Sequence, residues 1–213
     1  PLTAYAALLE GSFGSMPTFA RTLEKATPLL FSGLAVAFAF RAGMFNIGAQ
    51  GQLLLGALTA AVLGFALQGL PAFIHAPLAL LGGALAGALY GAIPGALKAY
   101  AGANEVIVTI MLNYVAYYLV LYALSRQFLL QAPGSANPKS AAINDSALLP
   151  KVLGDRFNLH YGFVLALAAV AVVWWLINRS TLGYRIRAVG LNPNAARAAG
   201  INVGRTYTTV MMI

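Results

Sequence analysis

Pro77-Leu78-Ala79-Leu80-Leu81-Gly82-Gly83-Ala84-Leu85-Ala86-Gly87-Ala88-Leu89-Tyr90-Gly91-Ala92-Ile93-Pro94-Gly95-Ala96-Leu97-Lys98-Ala99-Tyr100 carries one charge, at Lys98. A helix needs about 20 mostly apolar residues to cross a bilayer, and this stretch is long enough. Gly83, Gly87, Gly91 and Gly95 recur every four residues, which places them on one helix face. Ala84, Ala88 and Ala92 widen that face. In lipid, where packing rather than hydrophobic driving force joins helices, small residues let backbones approach closely. The groove reads as a helix-packing surface, and it also fits the seam of a moving bundle. Pro94 predicts a kink.

The rest of the chain repeats the pattern. Of 213 residues, 60% are hydrophobic and 8% charged, with 22 glycines. Soluble domains carry roughly a quarter charged residues. Apolar segments run over 28–45, 53–70, 77–100, 106–125 and 161–178, and another begins near Tyr207. The expected fold is all-α: a single polytopic transmembrane bundle of about five complete spans plus one truncated, spanning 1–213. The last apolar run has barely begun at Ile213, so a fragment is expected, cut inside a helix and lacking residues before Pro1. Residues 1–26 are mixed, and Thr18 to Lys25 fits a segment lying along the interface.

Orientation follows from Lys and Arg beside the spans. Arg179, Arg185, Arg187, Arg197 and Arg205 make 179–205 strongly basic, and that segment has no acid. It is therefore placed in the cytoplasm. Alternation then puts 126–160 outside, the Lys98–Glu105 turn inside and the Pro71 turn outside, with Arg41 near the inner face. The 126–160 segment carries four basic residues and two acids, Asp145 and Asp155, and is long enough for the rule to weaken. The net charge of +8 reads as loop charge rather than nucleic-acid affinity, because the aromatics sit inside apolar runs.

Within 179–205, Asn192 can cap a helix, Pro193 fits its first turn and Gly200 can end it about two turns later. A helix that short is marginal alone, so a partner that grips it is expected.

Two further regions are polar at membrane depth. Glu105, Thr109, Asn113 and Tyr117 recur every four residues along the fourth span. Polar side chains there usually face the bundle interior or a wet path, so this stripe either lines a route for a hydroxylated or amide-bearing solute or bonds helices together. Between the first two spans, Arg41-Ala42-Gly43-Met44-Phe45-Asn46-Ile47-Gly48-Ala49-Gln50-Gly51-Gln52 holds three glycines and three amides. Backbone of that kind survives in the membrane only when buried in protein or lining a cavity. Asn46 and Gln50 are candidate path residues; the other reading is a tight cytoplasmic turn with Arg41 snorkelling.

Enzyme signatures are poor. His75 is read in a turn and His160 before a span, with no partner at metal-ligand spacing. There is no cysteine and no phosphate-binding G-x-x-x-x-G-K-[ST] loop. Solvation is the simplest account of Asp145 and Asp155. Catalytic residues, a metal and a cofactor of this chain's own are not expected.

Taken together, 40–52, Asn104-Glu105-Val106-Ile107-Val108-Thr109-Ile110-Met111-Leu112-Asn113-Tyr114 and 183–201 resemble the permease subunits of bacterial ABC importers, in the branch for nucleosides and simple sugars (ribose-like, with branched-chain amino-acid-type relatives). The resemblance spans most of the chain, and the three stretches in order are more specific than any one alone. It implies that this chain is the first half to two-thirds of a permease of roughly ten helices. It implies a coupling helix at Asn192, Pro193, Ala195, Ala196, Arg197, Gly200 and Ile201 that docks into an ATP-binding subunit, where ATP and Mg²⁺ are held. A second permease subunit, an extracytoplasmic solute-binding lipoprotein, membrane lipid as surroundings and a location in the bacterial inner membrane follow from the same resemblance. The alternatives are a ribose-type sugar permease of that family and a secondary transporter or channel without an ATPase. The latter needs intramembrane ionisable groups, and Glu105 is the one acid near a span.

Overall fold

The computed structural model describes residues 2–154 and 156–213; Asp155, read above as a solvated acid, lies outside them. The helices are α1 (Leu2–Phe13), α2 (Met16–Arg41), α3 (Ala49–Ala66), α4 (Ala72–Ala101), α5 (Glu105–Leu124), α6 (Gly162–Arg179), α7 (Thr181–Leu191), α8 (Pro193–Ala198) and α9 (Val203–Met212). The described residues form an all-helical polytopic fold, and α2 to α6 are long and apolar enough to cross a membrane. Asp145–Ala147 makes one 3₁₀ turn.

Several boundaries differ from the sequence reading, each for a local reason. The segment 18–25 is the first part of α2, which runs through Pro28 without a break. α4 likewise continues through Pro77 and Pro94. α9 begins before Tyr207, because the Asn202 side chain accepts from Arg205 N at 2.9 Å and starts the helix among polar residues. The 179–205 segment holds a helix that its polarity concealed: α7, capped by Ser180, whose Oγ accepts from Gly183 N at 3.0 Å. His75 lies in the first turns of α4 rather than in a turn.

Contacts divide the chain into two compact units, one made of residues up to Leu34 with Leu149–Trp175, the other of Ala35–Leu148 with Leu176–Ile213. In the first unit the α1–α2 corner is tied by Thr22 Oγ1 donating to Ser12 O at 3.1 Å and by the Phe13 and Phe19 rings, 6.1 Å apart. An antiparallel bridge pairs Lys151 with His160.

The second unit is built on the glycine face of α4. A Cβ on Gly83 would stand 2.8 Å from Gly56 O, and one on Gly87 3.1 Å from Gln52 O, so this half of the face takes the α3 backbone. A Cβ on Gly91 would strike both the Gln52 side chain and Met211 O, and one on Gly95 would stand 2.8 Å from Thr208 Cα. The other half therefore takes α9. One row of four glycines serves two neighbours, and α5 packs against α3.

The end of the α3–α4 pair farthest from Arg41 along the chain is closed by the segment after α5. Asn144 N donates to Gly64 O at 3.0 Å and Asn144 Nδ2 to Leu67 O at 3.0 Å, which satisfies carbonyls at the end of α3. His75, fully buried, stands 2.7 Å from Ser146 Oγ through Nδ1 and 3.0 Å from Leu63 O through Nε2.

Candidate functional site

The Arg41–Gln52 segment folds into the second unit as an amide node. Asn46 is buried, accepts from Gly48 N at 2.9 Å through Oδ1 and donates to Gln52 Oε1 at 3.0 Å through Nδ2. Gln52 Nε2 donates to Met211 O at 2.8 Å and Gly87 O at 3.3 Å. A single amide side chain thus joins α3, α4 and α9. From α5, Asn113 accepts from Gly51 N at 2.8 Å and donates to Ile47 O at 2.9 Å. Tyr90 closes the set by donating to Leu112 O at 2.7 Å.

Asn46, Gln52, Tyr90, Gly91 and Thr109 border a void of only about 10 Å³, room for one water at most. In this conformation the node is closed packing, not a chamber for a solute. Gln52, which the sequence reading left out of the candidates, is its centre. Gln50 faces outward, exposed.

The α5 stripe splits in two. Glu105 is 8% exposed and pairs with Lys98 Nζ at 2.7 Å across the α4–α5 turn. Thr109 is buried and donates to Glu105 O at 2.7 Å. Asn113 is bonded as above. Tyr117 is 51% exposed. A spacing of four drifts about 40° per step around a helix of 3.6 residues per turn, so three steps carry the stripe from the inner face to the outer one. Its first three members bond the chain to itself, and the fourth does not.

The 192–201 segment forms the short capped helix its residues imply. Asn192 Oδ1 accepts from Asn194 N at 2.9 Å and Ala195 N at 3.1 Å, with Pro193 in the first turn of α8. Gly200 has φ +81°, left-handed, and Ile201 N donates to Ala196 O at 2.9 Å to close the helix end. Arg197 and Ala195 are exposed and Arg197 reaches Asn194 Oδ1 at 3.4 Å. Ala196 is 3% exposed and packs with Val189 and Val203, against which Ala188, Ile201 and Tyr207 lie. It holds α8 down, and Ile201, half-buried, helps.

The two amide- and glycine-rich motifs meet. Gly43, with φ +70°, lies against Gly190 of α7, where its Cβ would stand 3.3 Å from Gly190 O; a Cβ on Gly190 would strike Arg41 O. At the start of α7, Ser180 Oγ donates to Leu176 O at 2.6 Å, and Arg187 bonds Ile177 O. α7 meets the turn between α2 and α3 through backbone, Gly190 against Arg41, Ala42 and Gly43.

Among the described residues, five helices apolar enough to cross a membrane, polar groups closed by hydrogen bonds between helices and a short capped helix on one loop define a polytopic membrane protein. A family model described as "Branched-chain amino acid transport system / permease component" matches residues 18–213, and the chain belongs to that family. It is 44% identical over 215 residues to the guanosine ABC transporter permease protein NupP of Bacillus subtilis, covering 99% of this chain and 60% of that protein. It is 35% identical to the glucose ABC transporter permease protein TsgB13 of Haloferax volcanii, over all of this chain and 58% of that one. The nucleoside ABC transporter permease protein NupB of Lactococcus lactis is 33% identical, again over all of this chain and 60% of the relative. The chain thus spans about three fifths of the length of these relatives. No solved structure matches it.

Proposed function

We propose that this chain forms part of the solute pathway of an ATP-driven importer for nucleosides, in which α8 receives the stroke of a separate ATP-binding subunit. The observation that carries the reading is α8 itself. It is short, capped at both ends, exposed at Arg197 and Ala195, and continuous through α9 with the Gln52 node. ATP and Mg²⁺ belong to the ATP-binding partner, and this chain performs no chemistry. A second permease subunit completes the pathway, and an extracytoplasmic solute-binding lipoprotein delivers the solute. The assembly sits in a bacterial inner membrane. Alternating access is then a rigid-body change between two packed states.

Two of the three relatives described above are named for guanosine or nucleosides, which supports that solute class; the glucose relative supports simple sugars as the second reading. The test is uptake by the full-length complex in proteoliposomes, with labelled guanosine competed by nucleosides, ribose and glucose. ATP-dependent guanosine uptake inhibited by nucleosides alone is the expected result. Uptake inhibited by sugars alone would transfer the reading to sugars. Full-length permease that never co-purifies with an ATPase would end the importer reading.

A further inference from the structure

α5 has two unlike faces. The face toward the rest of its unit carries Glu105, Thr109, Ala116 and Ala123, all buried. Opposite them Tyr114 (60% exposed), Tyr118 (63%) and Tyr122 (53%) follow at a spacing of four, with Tyr117 at their side. The rings of Tyr117 and Tyr118 meet edge to face, centroids 5.3 Å apart. The Arg126 guanidinium stands 5.4 Å from the centre of the Tyr122 ring.

Tyrosine in a membrane helix favours the ends of the span, where its ring stays in the apolar zone and its hydroxyl meets water. Tyr122, near the end of α5 and beside Arg126, obeys that rule. Tyr114 and Tyr118 do not. Tyr114 is the tenth of the twenty residues of α5, roughly 15 Å from either end at 1.5 Å per residue, and Tyr118 is one turn further. A phenol at that depth must find a polar partner or water. Among the described residues, none hydrogen-bonds to the hydroxyls of Tyr114, Tyr117 or Tyr118. Three phenols at mid-membrane therefore mark a surface that does not face hydrocarbon.

We propose that Tyr114, Tyr117 and Tyr118 form the solute-contacting track of the pathway, on which the planar base of a nucleoside stacks while the phenols bond its sugar hydroxyls. The proposal rests on the nucleoside reading above and assigns the contact to a face of α5 other than the Glu105–Thr109–Asn113 side. Rings four residues apart are about 6 Å apart along the axis, a sequence of similar weak sites along which a flat solute can step. Stacking tolerates any base, because each has a π-face. Tyr122 with Arg126 closes the track at the end of the helix. A helix of a second permease subunit, or a later helix of the same polypeptide, is the competing occupant of this face.

The experiment uses the full-length permease in its complete complex, reconstituted in proteoliposomes. Tyr118→Leu and Tyr114→Leu are expected to lower guanosine uptake about tenfold each, within the range measured for loss of one stacked base. Tyr118→Phe, which keeps the ring but loses the hydroxyl that bonds the sugar, is expected to take up guanosine at a rate between those of Tyr118→Leu and wild type, with assembly of the complex intact. In a parallel arm, the thiol of the Tyr118→Cys variant reacts with a membrane-impermeant reagent, and guanosine slows that reaction. Leu variants with wild-type uptake, or a Tyr118→Cys variant inert to the reagent with and without ATP, would overturn the proposal. So would a disulfide joining the introduced thiols of two permease subunits while uptake stays intact, which would make the face an interface. If the wild-type complex carries no nucleoside while the introduced thiol still reacts, the nucleoside reading fails and the wet track stands for another solute.

Discussion

Gln52 makes three hydrogen bonds with one side chain, and each ends on a different part of the bundle: Asn46 in the turn before α3, Gly87 in α4 and Met211 in α9. Interhelical bonds of this kind average about 0.6 kcal/mol each in membrane proteins, so losing three removes about 2 kcal/mol. Part of that loss is indirect, because Asn46 Nδ2 would be left without its acceptor in a buried site. Gln52→Leu is therefore expected to lower resistance to unfolding in mixed detergent by that amount, while Gln50→Leu, at an exposed position, changes it little. Equal stability of the two variants would show that the node is incidental. Leucine at this position also removes the amide that links α9 to α3, so uptake should fall further than the yield of folded protein.

The glycine row of α4 behaves as an element rather than as four residues, since its two halves hold different helices. Gly91 stands where those halves join, against both Gln52 and Met211. Gly91→Ala must displace α9 or the Gln52 amide, and overpacking of this kind costs about 1–3 kcal/mol. Gly33→Ala in α2, where a Cβ meets nothing within 4 Å, should be neutral or slightly stabilising, since alanine relieves the entropy penalty of glycine in a helix. The difference in thermal midpoint between the two variants in detergent measures the α4–α9 seam; a difference of zero would remove the seam from the account. The spacing of these glycines is readable in the sequence, because periodicity is local, and so are the spans and the Asn192–Gly200 caps. What each half of the row touches is not, since Gln52 and Met211 lie 159 residues apart. α7 is hidden because the five arginines of 179–205, with Gly183 and Gly190 inside the helix itself, mimic a loop. His75 looks idle in sequence for the same reason as Gln52: its partner Ser146 is 71 residues away. The Glu105–Tyr117 stripe is visible, but its winding from an inner to an outer face needs the packed helix.

At the scale of the whole molecule, the second unit forms an unbroken mechanical line. α8 packs on α7 and α9, α9 on the latter half of α4, and α4 on α3, while α7 presses Gly190 on the turn at Gly43. In the importer proposed above, a push on α8 would reach the Gln52 node by two packed routes. If the proposed ATP-binding subunit docks here, its surface should be acidic, because 179–205 has five arginines and no acid, and Arg197 is exposed on α8 while Arg185 and Arg205 border an open groove of about 500 Å³ between α7 and α9. Arg197→Glu is expected to leave insertion and basal ATP hydrolysis near normal and to uncouple hydrolysis from uptake. Its effect should be milder in high salt, where exposed charges are screened over a few ångströms. Ala196→Glu is the wrong probe for docking, since it would bury a charge among Val189, Val203 and Ile201 and loosen α8 from its own chain. The two variants therefore separate cleanly. Arg197→Glu should be assembled and uncoupled, with normal protease resistance between α7 and α9, whereas Ala196→Glu should be cut there. Uptake by Arg197→Glu equal to wild type, at low salt and saturating ATP, would mean that the motor does not grip α8.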